Sequence, residues 1–245
     1  MNHEYKYRSL AMLRSLAKGQ LLGKYPLAAA TFMTVLVMTA LLRLLSFSFA
    51  FGSGMTRLLV SSLASFVVSL PLGIINVGIL YMALKICCRE TVHLNDVIYG
   101  FKHQPVKIIK VQAVFSAIFF VTTLPAAIFQ TVGTESVGEG HMAAMVTFYL
   151  AGYAAYAFAS LIFSQAFFLL LDFEDKDYKE LLLMSRRLMD GHKKRLFLLW
   201  LSFVPLILLG LLTCCVGYIW IMPYIKVALA NFYMDLMQAG DDNLI

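Results

Sequence analysis

Long apolar runs and short basic segments take turns along this chain, and few folds accommodate that alternation. The apolar runs cover about residues 25–49, 57–88, 106–131, 141–171 and 196–238. Most exceed the roughly 20 residues that a helix needs to span a bilayer. The chain has 245 residues, 60% of them hydrophobic and only 14% charged, where soluble domains carry about a quarter charged residues. A soluble fold would have to bury nearly all of that apolar surface in one core, which this length does not readily allow. The expected class is all-α: a polytopic membrane protein forming a single domain over residues 1–245, with no room for a separate soluble catalytic domain.

The charge pattern sets the expected orientation. Residues 1–24, 85–110 and 172–195 hold five, five and seven of the 20 Lys and Arg, leaving only Arg43, Arg57 and Lys226 elsewhere. The loop over 131–141 has two Glu and no Lys or Arg. The positive-inside rule places the three basic segments, and both termini, in the cytoplasm of a multi-pass cell-membrane protein. Even numbers of crossings must separate them. The last run is long enough for two spans, with a natural break at Thr213-Cys-Cys-Val-Gly217. Six spans follow, at roughly 25–48, 58–86, 108–131, 142–171, 196–213 and 217–238. The second contains Pro71, Gly73, Asn76 and Gly78, and a kinked or broken helix is expected there because Pro removes a backbone hydrogen bond. Residues 1–24 lack the apolar core of a cleavable signal, so the first span would act as an uncleaved anchor.

The net charge of +6 raises the question of nucleic acid, but the basic residues flank apolar segments, where anionic headgroups are the natural counter-charge. No zinc-finger spacing or aromatic-plus-basic RNA motif is present, so lipid headgroups and not nucleic acid are the expected partners. The cysteines form two adjacent pairs, Cys87–Cys88 and Cys214–Cys215, without metal-ligand spacing. They read as small packing residues.

A short amphipathic pattern precedes each odd-numbered span. Leu10, Leu13, Ala17 and Leu21 share one helical face; so do Leu94, Val97, Ile98 and Phe101, and Tyr178, Leu181, Leu182 and Met189. Gly19, Gly100 and Gly191 follow as expected C-caps. The pattern suggests three units, 8–90, 91–174 and 175–238, each an interfacial helix, a span and a return span. Basic amphipathic connectors are also what any six-span protein with short loops needs.

The most specific string lies near the C-terminus. Met189-Asp-Gly191-His-Lys193 is followed by Phe197, Leu199 and Leu201-Ser202-Phe203, then Trp220, Pro223-Tyr224 and Phe232-Tyr233. This resembles an uncharacterised family of bacterial six-span integral membrane proteins, classed only as a domain of unknown function. The resemblance covers most of the chain and is sharpest over about 185–234. Val204-Pro205 stands where that family carries a Trp, and Leu150-Ala-Gly152-Tyr153 where it carries Pro-Gly in the fourth span. The resemblance implies fold and location; it brings no activity, catalytic residue or cofactor.

Polar residues inside apolar runs are the candidate ligand-binding residues: Lys226, Tyr224, Asn76 and Gln165. Lys226 falls about ten residues into the sixth span, where an ammonium needs a partner or a wet cavity. It either binds an anionic headgroup or substrate, takes part in proton coupling, or snorkels to an interface from a shifted span. Asn76, Gln112, Gln130 and Gln165 otherwise suit interhelical hydrogen bonds, and Arg43 and Arg57 suit snorkelling at the outer turn. Asp172, Glu174, Asp175 and Asp177 suit a solvated helix start better than a metal site. Tyr149, Tyr153 and Tyr156, among small residues, suit close helix packing or a hydrophobic substrate groove. HExxH, GxSxG, P-loop and paired intramembrane aspartates are all missing from the sequence. The expected function is non-enzymatic, without cofactor or metal: binding or transport of a small or lipidic molecule. The alternative is an accessory or scaffold subunit whose basic helices recruit a protein partner.

Overall fold

The computed structural model describes residues 7–48, 54–132, 139–213 and 216–240. All regular structure among them is helical. Helix α1 is Leu10–Leu21, α2 Tyr25–Ser48 and α3 Gly54–Cys87; a 3-10 turn at Leu94–Ile98 leads into the short α4, Tyr99–Lys102. Then come α5 Pro105–Val132, α6 Glu139–Ile162, α7 Ala166–Asp172, α8 Tyr178–Leu188, α9 Lys193–Leu212 and α10 Tyr218–Gly240. Five described stretches are long and apolar enough to cross a membrane: Tyr25–Leu45, Thr56–Cys87, Pro105–Gln130, Gly140–Asp172 and Lys193–Leu212. Their lengths follow from unbroken apolar sequence, in which only a helix satisfies its own backbone. The Cys214–Cys215 pair and most of the acidic 131–141 loop lie outside the described residues.

Helix α10 is the hub, packing against α1, α2, α3 and α9. It is less apolar than the five because it carries Lys226, Asn231 and Asp235, and it buries Ile225, Ala228, Ala230, Phe232 and Tyr233. The core sits at one end of the bundle, where the basic segments gather. There α1 inserts Leu13, Ala17 and Leu21, and α8 inserts Leu181 with Met189 beyond its end, all fully buried. The far half instead exposes Leu41, Leu44, Leu63 and Leu211, as a lipid-facing surface would.

The Asp235 carboxylate ties this basic end together. It accepts from the Arg8 backbone N–H at 3.0 Å and from the Arg195 guanidinium, which also donates to the Arg8 carbonyl. Gln20 and Asn231 exchange amide hydrogen bonds of 3.2 and 2.6 Å, fixing α1 against α10. Asp172 accepts from the Tyr233 hydroxyl, and Glu174 from the Tyr99 hydroxyl at 3.2 Å. Burial and the Glu174 carboxylate push the Tyr99 phenol up to about 12, so it remains the protonated donor at neutral pH.

Several expectations need correction. Of the kink or break expected at Pro71, the break does not form: α3 is continuous over its 34 residues, the one lost hydrogen bond being tolerated because α5 and α10 pack along it. The break falls instead in the fourth span, at Phe163–Gln165 between α6 and α7. Of the three glycines expected as C-caps, only Gly191 has a left-handed backbone (φ 78°); the other is Gly23 (φ 80°), while Gly19 lies inside α1. Gly100 lies inside α4 and is buried, where a Cβ would approach the Ile74 carbonyl oxygen to 2.7 Å. The middle connector therefore docks differently from α1 and α8. It exposes Leu94, Ile98 and Phe101 and presses its backbone, not an apolar face, onto α3.

Candidate functional site

The fourth span breaks without Pro or Gly. Ser160 and Ser164 turn their hydroxyls onto carbonyls one turn back, Tyr156 and Leu161, a competition that weakens the helical ladder. The fully buried Ser185 of α8 donates to the Ile162 carbonyl at 3.3 Å, so a side chain from another helix takes over a carbonyl at the break. Gln165 follows at the start of α7, 2% exposed, its Nε2 donating to Ser164 Oγ at 3.0 Å. Its Oε1 is buried without a partner among the described residues. An orphaned buried acceptor marks a place for water or ligand.

That break lines a cavity of about 760 Å³ between α6–α7 on one side and α9 on the other, floored by α3 and α10. Its walls are mostly apolar, with Phe158, Phe168, Phe197, Trp200 and Leu229 among them. Phe158, Phe197 and Trp200 are 60%, 54% and 38% exposed, so the cavity opens sideways, between helices, rather than only at its end. The ammonium of Lys226 donates to Asn76 Oδ1 at 2.9 Å at the floor. Lys193 and Lys194, at the start of α9, stand at the other end. Among the described residues, no Asp or Glu lines the cavity.

Depth follows from helix geometry. Lys226 is nine residues before Asp235, which pairs with Arg195 at the basic end; at 1.5 Å per residue that is about 14 Å along the bundle. The Lys226 ammonium thus sits about half a bilayer core from that end. Its neutral amide partner satisfies one donor but leaves the charge uncompensated. An anion entering the cavity would supply what the lining lacks.

Lys226, Asn76 and Gln165 therefore share one cavity, although 150 residues separate the first two. Tyr224 does not join them. Its hydroxyl accepts from Arg14 Nε at 3.4 Å and its ring meets Phe203 edge-on, on a side of α10 that faces α1 and α9. Reading the sequence missed Lys193 and Lys194 as lining residues, counting them only as topogenic charge. Their place at the N-terminus of an aromatic-flanked helix, four and seven residues before Phe197 and Trp200, was the available signal. Tyr149 and Tyr153 turn to α5, Tyr149 donating to Gln130 Oε1 at 2.8 Å, whereas Ala154, Ala157 and Phe158 face the cavity. Among the described residues, no group of three or more His, Cys, Asp or Glu is placed to hold a metal ion.

No curated protein and no solved structure matches the chain. Residues 8–240 match the model of one family, described as a protein of unknown function. That match covers nearly the whole chain, and the protein belongs to this family, DUF975.

Proposed function

We propose that this protein is a non-enzymatic, multi-pass membrane protein that binds an anionic amphiphile in the cavity between α6–α7 and α9 and carries it within the bilayer. The chain crosses six times, with α10 as the sixth span and the basic end in the cytoplasm. The acidic headgroup sits between Lys226 at the floor and Lys193 and Lys194 at the cytoplasmic end. The hydrocarbon tail lies along Phe158, Phe197 and Trp200 and enters through the sideways opening. One observation carries this reading: among the described residues, a deep ammonium is held by a neutral amide alone, in a largely apolar cavity that no carboxylate lines. A charge so placed is costly unless a counter-charge joins it.

The test uses the full chain in nanodiscs of neutral lipid, titrated with a fluorescent long-chain fatty acid and with the matching fatty alcohol. The acid is expected to bind saturably and the alcohol not. Lys226→Met, which keeps the length and removes the charge, is expected to weaken acid binding about tenfold or more, the scale of one lost charge-assisted hydrogen bond. Equal binding of acid and alcohol, or of wild type and variant, would overturn the proposal.

A further inference from the structure

A second cavity, of about 390 Å³, lies in the opposite half of the bundle among α2, α3, α5 and α6. It shares no lining residue with the first. Its character is different. Ser62, Ser65 and Ser69 of α3 face Gln112 and Ser116 of α5, and the exposed Arg43 of α2 stands at one side. Among the described residues, seven hydroxyl side chains line it and no Asp or Glu does.

The hydrogen bonds define which groups remain available. Ser69 Oγ lies 2.6 Å from the Phe66 carbonyl, to which it donates, so in its 2.7 Å contact with Ser116 it must accept. Ser116 in turn accepts from Gln112 Nε2 at 3.5 Å. This directed chain leaves Gln112 Oε1 as an acceptor. The hydroxyls of Ser62 and Ser65 and the guanidinium of Arg43 have no hydrogen-bond or ion-pair partner among the described residues, and they remain as donors. Arg43 stands 18 residues along α2 from Tyr25, about 27 Å from the basic end. Snorkelling alone would place it there. It does not account for a hydroxyl-lined chamber beside it, since apolar side chains would pack this interface at lower cost.

We propose that this chamber is a second binding site, for the headgroup of a phosphate ester that carries free hydroxyls. The phosphate takes the Arg43 fork, a geometry that suits phosphate oxygens, with Ser62 and Ser65 as further donors. The headgroup's own hydroxyls donate to Gln112 Oε1. The volume is about thirteen times that of a water molecule at ~30 Å³, room for a hydrated glycerophosphate group. The same chemistry arrives either as a lipid headgroup or as a free polyol phosphate. This site does not depend on the function proposed for the first cavity.

The test is made with the full chain in phosphatidylcholine nanodiscs, in the Lys226→Met background so that the first cavity's ammonium is absent. Salt is held at roughly 0.5 M to screen diffuse attraction between exposed charges. The probes are short-chain phosphatidylglycerol, short-chain phosphatidylcholine and glycerol 3-phosphate, followed by calorimetry. Phosphatidylglycerol is expected to bind saturably and phosphatidylcholine not; adding Arg43→Gln should weaken binding about tenfold or more, with the melting temperature as folding control. Glycerol 3-phosphate binding as tightly as the lipid assigns the site to the free ester; binding of the lipid alone assigns it to the headgroup. The double substitution Ser62→Ala and Ser65→Ala should weaken binding and leave the melting temperature in place. The proposal is overturned if no probe binds, if phosphatidylcholine binds equally, or if Arg43→Gln changes nothing.

Discussion

Asp235→Ala is expected to lower the stability of the bundle by about 3–5 kcal/mol, the cost of removing one partner from a buried, hydrogen-bonded ion pair. The carboxylate is 5% exposed and Arg195 18%. Without it, the Arg195 guanidinium loses its counter-charge while its Nη1 is already buried without a partner. The cation would keep its hydrogen bond to the Arg8 carbonyl and its contacts over the Tyr7 and Phe232 rings, at 5.1 and 5.3 Å, the latter worth about 0.5–2 kcal/mol each. The Arg8 N–H would also lose its acceptor, so the effect should concentrate on α1. Two measurements check this: a lower melting temperature, and faster tryptic cleavage at Arg14 and Lys18 than in the parent protein. Asp235→Asn keeps the shape and one acceptor and should fall between the two. An unchanged melting temperature together with unchanged cleavage would show that the knot does not hold α1.

Gly78→Val should cost a comparable amount, about 3 kcal/mol or more, by overpacking a contact that cannot yield. A Cβ on Gly78 would lie 2.0 Å from the Val97 carbonyl oxygen and 2.6 Å from its carbon. Both are backbone atoms of the 3-10 turn, so no side chain can swing aside. The connector must leave α3, and the Lys85–Asp96 ion pair at 3.1 Å and the Tyr81–Tyr99 stack at 3.8 Å would part with it. Hydrogen exchange over residues 94–102 should rise sharply while α1 and α8 stay protected. Gly140→Ala is the matched control: nothing lies within 4 Å of a Cβ there, and a slight gain from better helix propensity is expected. Similar exchange in both variants would contradict the close approach.

The two substitutions fall on features of opposite legibility. Helix extents were readable because apolar runs and their periodicity are local: the first span expected at 25–48 is α2, and Leu13, Ala17 and Leu21 of the face predicted for α1, with Leu181 and Met189 of that predicted for α8, are buried. The chain's own Lys and Arg marked the end of the bundle where the core gathers. The resemblance to a family of unknown function agrees with the family whose model matches residues 8–240. Lys226, Asn76 and Gln165 stood out singly, each as a polar residue in an apolar run, which is a property of one position and its neighbours in sequence.

What only the tertiary structure decided depends on approach between distant segments. Asp235 drew no attention in the sequence because an acid near a chain end is ordinarily solvated; its partners on α9 and before α1 make it a buried knot. The middle connector matched its two counterparts in pattern, yet Gly78 and Gly100 let its backbone dock directly, so its apolar residues stay outside. Pro71 signalled a break that α5 and α10 suppress, whereas Ser185, from another helix, supports one at Phe163–Gln165 that no local breaker announced. Lys226 was a lone charge until folding set it against Asn76, in a cavity closed by α6 and α9. Periodicity and charge bias act along the chain and can be read there. Cavities, orphaned acceptors and ion-pair partners arise where helices far apart in sequence meet, and their energies exist only once those helices are packed.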